Sequence, residues 1–129
     1  MDISTGKKAW LARINHPGVH KVNKYTVNLD DLDVLGANAI FEALNNGDVI
    51  AIDEIGPMEL SSIAFSASLV QAIETNKPLL ATIHHNMNHP LVKNIKTRSD
   101  AELIQVTRQN RKKLHVEVAE KINNCLITT

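Results

Sequence analysis

A chain of 129 residues, 43% apolar and 22% charged, has the length and composition of about one globular domain with a core of its own. Fourteen Lys+Arg balance fourteen Asp+Glu, which argues against nucleic acid or an anionic membrane as a partner, and aromatics limited to Trp10, Tyr25, Phe41 and Phe65 weaken a base-stacking role. The single Cys125 excludes an internal disulfide, no apolar run approaches the roughly 18 residues of a membrane span, and the N-terminus lacks a signal-peptide shape, so the expected setting is a reducing, cytoplasmic one.

In chain order, Met1–Ile3 and Ala9–Ile14 flank the polar turn Ser4–Lys8, a pattern that predicts an N-terminal β-hairpin. Asn15-His16-Pro17-Gly18 reads as a loop, and Val22, Tyr25, Val27 and Leu29 alternate as in a short strand. Asp30 or Asp31 suits a helix cap, with Asp33 completing an acidic first turn that the helix dipole favours. Leu32, Leu35, Ala39, Ile40, Ala43 and Leu44 keep helical spacing as far as Asn45-Asn46-Gly47, a C-terminal stop. A strand over Val49–Ile55 follows, then a helix capped by Ser61 or Ser62 that carries Phe65, Leu69, Ala72 and Ile73 on one face. Leu79–Ile83 is a second buried strand, His84–His89 a polar loop, and Pro90 the first turn of a helix to about Arg98. A third strand over Leu103–Thr107 and a last helix capped by Asn110, with Leu114, Val118 and Ile122 on one face, complete the prediction.

From Val49 onward the order is strand, helix, strand, helix, strand, helix. The first βαβ unit has the length of about thirty residues that a crossover needs, so the sheet is expected to be parallel. Parallel α/β sheets place their chemistry beyond the carboxyl ends of the strands. Asp53 and Glu54 stand there, between the apolar run and Gly56-Pro57. In a P-loop NTPase an acidic residue at such a strand end holds Mg²⁺, and a second carboxylate beside it can orient or deprotonate the attacking water. The plainer reading of Asp53-Glu54 is a solvated strand end.

Further residues carry a resemblance. Asp-Glu-Ile-Gly-Pro-Met-Glu-Leu at 53–60 resembles the Walker B segment of the P-loop nucleoside-triphosphatase family that includes small archaeal and thermophile NTPases and the human cancer-related NTPase. Lys77–His84, His89-Pro90-Leu91-Val92, Val106-Thr107 with Asn110-Arg111, and Lys24–Asn28 are similar to other segments of that family. The resemblance implies an α/β, three-layer RecA-like fold with a mostly parallel sheet. It also implies Mg²⁺-dependent hydrolysis of nucleoside triphosphates to diphosphates with broad base tolerance. Carried over by residue, Asp53 holds Mg²⁺ and Glu54 polarises the lytic water; Arg111, and less readily Arg108, is a candidate to neutralise charge on the transferring phosphoryl group on the general usefulness of Arg toward phosphate. The plain alternative for Arg111 is a surface residue at a helix start.

One part of the family pattern is missing. The motif Gly-x-x-x-x-Gly-Lys-Ser/Thr does not occur, since the glycines are Gly6, Gly18, Gly36, Gly47 and Gly56, and Gly6-Lys7-Lys8 lacks the first glycine and the hydroxyl. The sequence therefore reads as a single, N-terminally truncated NTPase-like domain with an exposed sheet edge beside Leu79–Ile83, open to self-association or to a partner carrying the P-loop. A second reading is a catalytically silent remnant that acts by protein pairing. His84, His85 and His89 could converge on a metal but read better as a solvated loop, with His84 the one placed to touch a phosphate or the lytic water. Cys125 reads as structural, and Arg108, Arg111, Lys112 and Lys113 as a solvated helix face.

Overall fold

Ile50, Ile52 and Ile55 alternate into the core along β4 (Ile50–Ile55), the central strand of the computed structural model, which describes residues 1–128. β4 pairs in parallel with β5 (Leu79–Ile83), as the βαβ spacing predicts. The register runs Ile50↔Leu79, Ala51↔Leu80 and Ile52↔Ala81, then slips, so that Ile55 faces Ile83. β4 thus spends one more residue than β5 across Asp53-Glu54, a bulge of the kind that re-aims side chains next to functional sites. β5 alternates between half-buried and exposed positions, with Leu80 and Thr82 exposed, where the sequence predicts burial on both faces. Among the described residues no strand pairs with the outer side of β5, and Ala51, Asp53, Leu80 and Thr82 leave one face of this two-stranded sheet exposed.

The connection between these strands is α3 (Ile63–Glu74). Ser62 is its N-cap: its hydroxyl accepts from the Phe65 amide at 3.0 Å and donates to the Asp33 carboxylate. Phe65, Leu69 and Ala72 recur at helical spacing and are buried. The facing helical run starts with α1 (Leu29–Asp31), passes through a π-helical stretch at Leu32–Gly36, and continues as α2 (Ala37–Asn46), which packs on α3. Gly36 permits that approach, because a Cβ there would lie 3.2 Å from both Leu32 Cδ1 and Phe65 Cδ2. At the far end Gly47 terminates α2, its amide donating to the Ala43 carbonyl at 2.9 Å, and the Lys77 ammonium donates to the same Ala43 carbonyl and to that of Leu44.

The N-terminal part differs from the sequence expectation. Met1–Ile3 forms no strand; the Asp2 carboxylate accepts from the Ser4 amide at 2.9 Å and hydroxyl at 2.8 Å, which closes a turn instead of a ladder. The hairpin lies later, between β2 (Lys21–Val22) and β3 (Tyr25–Val27), and β1 (Ala12–Ile14) pairs antiparallel on the other side of β3. The cap of the following helix is Asn28, not Asp30 or Asp31; its Oδ1 accepts from the Asp31 amide while its amide donates to the Trp10 carbonyl.

These elements make one compact unit, residues 1–87; residues 88–129 make a second. In the second unit His89 caps α4 (Pro90–Thr97) through Nδ1, which accepts from the Leu91 amide at 3.1 Å. The strand expected over Leu103–Thr107 is absent: the segment makes no ladder, and Leu103 and Val106 are exposed. A strand needs a neighbour to satisfy its backbone, and here Asn110 turns the chain instead, accepting from the Thr107 amide at 2.8 Å and donating to the Gln105 carbonyl at 2.8 Å. That use of Asn110 explains why α5 (Leu114–Thr128) begins later than its predicted cap. Leu114, Val118 and Ile122 form its half-buried stripe, and Lys121 reaches Glu102 at 2.8 Å. No helix of the described residues is long and apolar enough to cross a membrane.

Two substitutions test this account of the core. Leu69→Ala, at a fully buried site, is expected to cost about 2–5 kcal/mol in chemical denaturation. Ser62→Ala should cost about 1–2 kcal/mol by removing the α3 cap and stranding the Asp33 bond.

Candidate functional site

The site is built at the carboxyl ends of β4 and β5, where a parallel pair leaves its last residues side by side. Asp53 is exposed and its Oδ1 accepts the Thr82 hydroxyl at 2.6 Å across the pair. Glu54 is half-buried, and its Oε1 lies 3.5 Å from Nδ1 of His84, the first residue after β5. The backbone ties the same place together, because the His84 amide donates to the Ile55 carbonyl at 3.1 Å. The bulge allows this: without the extra residue on β4, Asp53 and Glu54 would keep strict alternation against β5.

Gly56 then turns the chain under the carboxylates. A Cβ there would meet Glu59 Oε2 at 2.9 Å and Glu54 Oε1 at 3.2 Å, so two acidic side chains occupy the space that glycine leaves open. Glu59 sits at the start of a 3₁₀ turn (Glu59–Ser61), held by the Leu60 amide donating to the Gly56 carbonyl at 3.0 Å. Partial burial pushes the Glu59 carboxyl above its ordinary range; the amides of Glu59 and Gly56 oppose that shift, Glu54 adds to it by like-charge repulsion, and His84 opposes it. Asp53, Glu54 and Glu59 also line an open cavity of about 210 Å³ whose other walls include Trp10, Leu35 and Ala39.

Of the predicted site residues, the structure brings Asp53, Glu54 and His84 together. Arg111 lies in the second unit, exposed in the turn before α5, its amide donating to the Thr107 carbonyl at 3.0 Å. His85 is exposed and His89 is a helix cap. Among the described residues no group of three or more His, Cys, Asp or Glu is arranged to hold a metal by itself. Cys125 is an exposed thiol on α5, not a core residue. Two residues are absent from the sequence reading. Thr82 was legible as the one hydroxyl in the run Leu79–Ile83, and Glu59 as the third acid of the octet, but only the strand pairing and the Gly56 turn bring them to the site.

Chemically the cluster offers a carboxylate paired to an imidazole, a second carboxylate steadied by a hydroxyl, and a third whose charge is disfavoured. That set can accept a proton from water and can share a hard divalent cation with an oxygen-rich ligand.

Comparison with known proteins points the same way. Residues 1–119 match the family model described as NTPase. The chain is 42% identical to the nucleoside-triphosphatase THEP1 of Methanosarcina acetivorans over 123 residues, 95% of this chain and 66% of that protein. It is 38% identical to the THEP1 of Thermofilum pendens over 94% of this chain and 67% of that one. The crystal structure of THEP1 from the hyperthermophile Aquifex aeolicus superposes with a TM-score of 0.85 at 30% identity, over 92% of this chain and 73% of that chain. The chain thus spans about two thirds of the length of the curated relatives it matches.

The Glu59 environment makes a pH prediction. A carboxyl whose folded pKa is raised contributes stability that is fully present below its unfolded value, near 4.5, and lost as pH rises through the folded value. Glu59→Gln should therefore match the parent in thermal melts below that range and melt above it at neutral pH. A variant that is less stable at every pH would contradict the assignment.

Proposed function

Because the chain belongs to the NTPase family, we propose that it carries the catalytic carboxylates of a Mg²⁺-dependent nucleoside-triphosphatase that converts NTPs, ATP and GTP among them, to the diphosphate and phosphate. The observation that carries this reading is the placement of Glu54 against His84, with Asp53 beside it, at the carboxyl ends of two parallel strands. We read residues 1–129 as a single NTPase-like domain.

Glu54 is the general base. It takes a proton from the water whose oxygen bonds to the γ-phosphorus, while the bond from that phosphorus to the β–γ bridging oxygen breaks and its electron pair leaves with the diphosphate. His84 steers the Glu54 carboxylate from one side and, being half-exposed itself, meets the lytic water or a phosphate oxygen on the other. Asp53 fits a Mg²⁺ site of the shared kind, since Mg²⁺ takes one or two carboxylates and fills its remaining positions with water and substrate phosphates, and the Thr82 hydroxyl fixes one Asp53 oxygen while leaving the other free to accept. Bound there, Mg²⁺ would supply neutralisation of the phosphate charge. Arg111 adds a further cation toward the transferring phosphoryl group.

None of the five glycines supplies a phosphate-binding loop, so these residues hold the hydrolytic half of the machinery and the cradle for the β- and γ-phosphates comes from outside them. The uncovered edge of β5 is the place where a further strand, from the segment that carries the cradle or from a second copy, would add to the sheet.

The test is phosphate release from ATP and GTP with Mg²⁺. The 129-residue chain alone should show little turnover. Joined to the segment of the Methanosarcina acetivorans relative that it does not cover, it should hydrolyse both nucleotides. In that form Glu54→Gln should lower kcat by about 10²–10⁴-fold, and Asp53→Asn should raise the Mg²⁺ concentration needed. A fused chain indifferent to Glu54→Gln would end the reading. Turnover by the 129 residues alone, abolished by Glu54→Gln, would show that they contain a phosphate cradle.

A further inference from the structure

The zero net charge conceals a sharp segregation. Residues 1–27 contain Lys7, Lys8, Arg13, Lys21 and Lys24 against the single Asp2, which is buried and tied to Ser4. The next 33 residues, 28–60, contain eight carboxylates and no Lys or Arg. All five cations of the first stretch are exposed, and none makes an ion pair with a carboxylate among the described residues. Local charge of one sign on a small surface sets the local field whatever the whole molecule sums to.

The three-stranded sheet arranges these charges. Arg13 on β1 and Lys21 on β2 both stand opposite Thr26 on the central β3, so the two cations project from the same face. The β1–β2 loop folds over that face: the Thr26 hydroxyl donates to the His16 carbonyl at 2.6 Å, and Gly18 lies so close that a Cβ would come 2.6 Å from the Thr26 methyl. This docking fixes three planar groups together. The Arg13 guanidinium sits 4.7 Å from the Trp10 ring centroid, and the His16 ring lies 4.7 Å from the same ring, its Nδ1–H donating to the Pro17 carbonyl at 2.9 Å. Lys24, at the β2–β3 turn, adds a further cation 5.6 Å from the Tyr25 ring.

We propose that this face of the N-terminal sheet, centred on Arg13, Trp10, His16 and Lys21, binds single-stranded nucleic acid. Unpaired cations track a phosphate backbone, and aromatic and guanidinium planes give bases something to stack on without reading their sequence. A single strand suits the face because the Trp10, His16 and Arg13 planes can stack on unpaired bases, which a duplex keeps within its own stack. The inference uses none of the carboxylates of the hydrolytic reading, although Trp10 also lines the cavity beside them, so the Arg13 and Lys21 substitutions, outside that cavity, are what separate the two.

The experiment is titration of the 129-residue chain with a fluorescein-labelled oligothymidylate, following anisotropy and, with unlabelled oligomer, the emission of Trp10, the one tryptophan in the chain. Binding should raise anisotropy, quench Trp10 and weaken as salt rises. The Arg13→Ala/Lys21→Ala double variant should bind about tenfold or more weakly, with a log–log salt slope flattened by about 0.7 for each cation that contacts a phosphate. Lys112→Ala/Lys113→Ala, in the second unit, should bind as the parent does. If the double variant fails to fold by circular dichroism, Lys24→Glu at the exposed turn carries the same expectation. No anisotropy change at low salt, equal losses in the two double variants, or binding to phosphatidylserine vesicles without any response to oligothymidylate would each overturn the proposal.

Discussion

The parallel pairing of β4 with β5, and the one-residue slip within it, is the constraint on which the site depends. Ile50, Ile52 and Ile55 must face the core, and that requirement fixes the register at both ends of β4. With one more residue on β4 than on β5 between those ends, the surplus falls at Asp53-Glu54. The bulge therefore displaces the two acidic residues, and their neighbours Thr82 and His84 are settled by the pairing itself. A hydrophobic demand on three isoleucines thus sets the position of two carboxylates that contribute little to the core.

The acidic turn that follows is a compromise between packing and charge. Gly56 lets Glu54 and Glu59 share a space that any side chain would close, and the backbone amides of the turn offset part of the cost of placing a second carboxylate there. Such an arrangement detracts from stability at neutral pH, a common feature of sites selected for chemistry over folding. Ser62 and Asp33 work in the other direction, tying the start of α3 to the helical run that faces it.

The proposed hydrolytic role has two separate supports, family membership and local geometry. The NTPase match spans residues 1–119, whereas the physical argument rests on four side chains at two strand ends. The charge segregation of the N-terminal sheet belongs to neither. A balanced composition hides it, because the sum over 129 residues cancels a basic stretch against an acidic one.

The sequence by itself determined the elements whose signals are local: the apolar run of β4, a serine cap at 61 or 62 and the Phe65/Leu69/Ala72 stripe of α3, Pro90 in the first turn of α4, and Asp53-Glu54 at a strand end. Each depends on contacts within a few residues or on a periodicity that burial enforces. Tertiary structure decided whatever needed a partner distant in the chain. Met1–Ile3 and Leu103–Thr107 have strand-like composition but no neighbour to complete a ladder, and Tyr25–Val27 is a strand because two others flank it. Asn110 had a capping residue's identity but spent its side chain on the preceding turn. Thr82 and Glu59 gained their places at the site only when pairing and the Gly56 turn closed. Backbone hydrogen bonds in sheets and electrostatic contacts across them join residues far apart in the chain, and spacing along a sequence carries no record of which of the possible partners will meet.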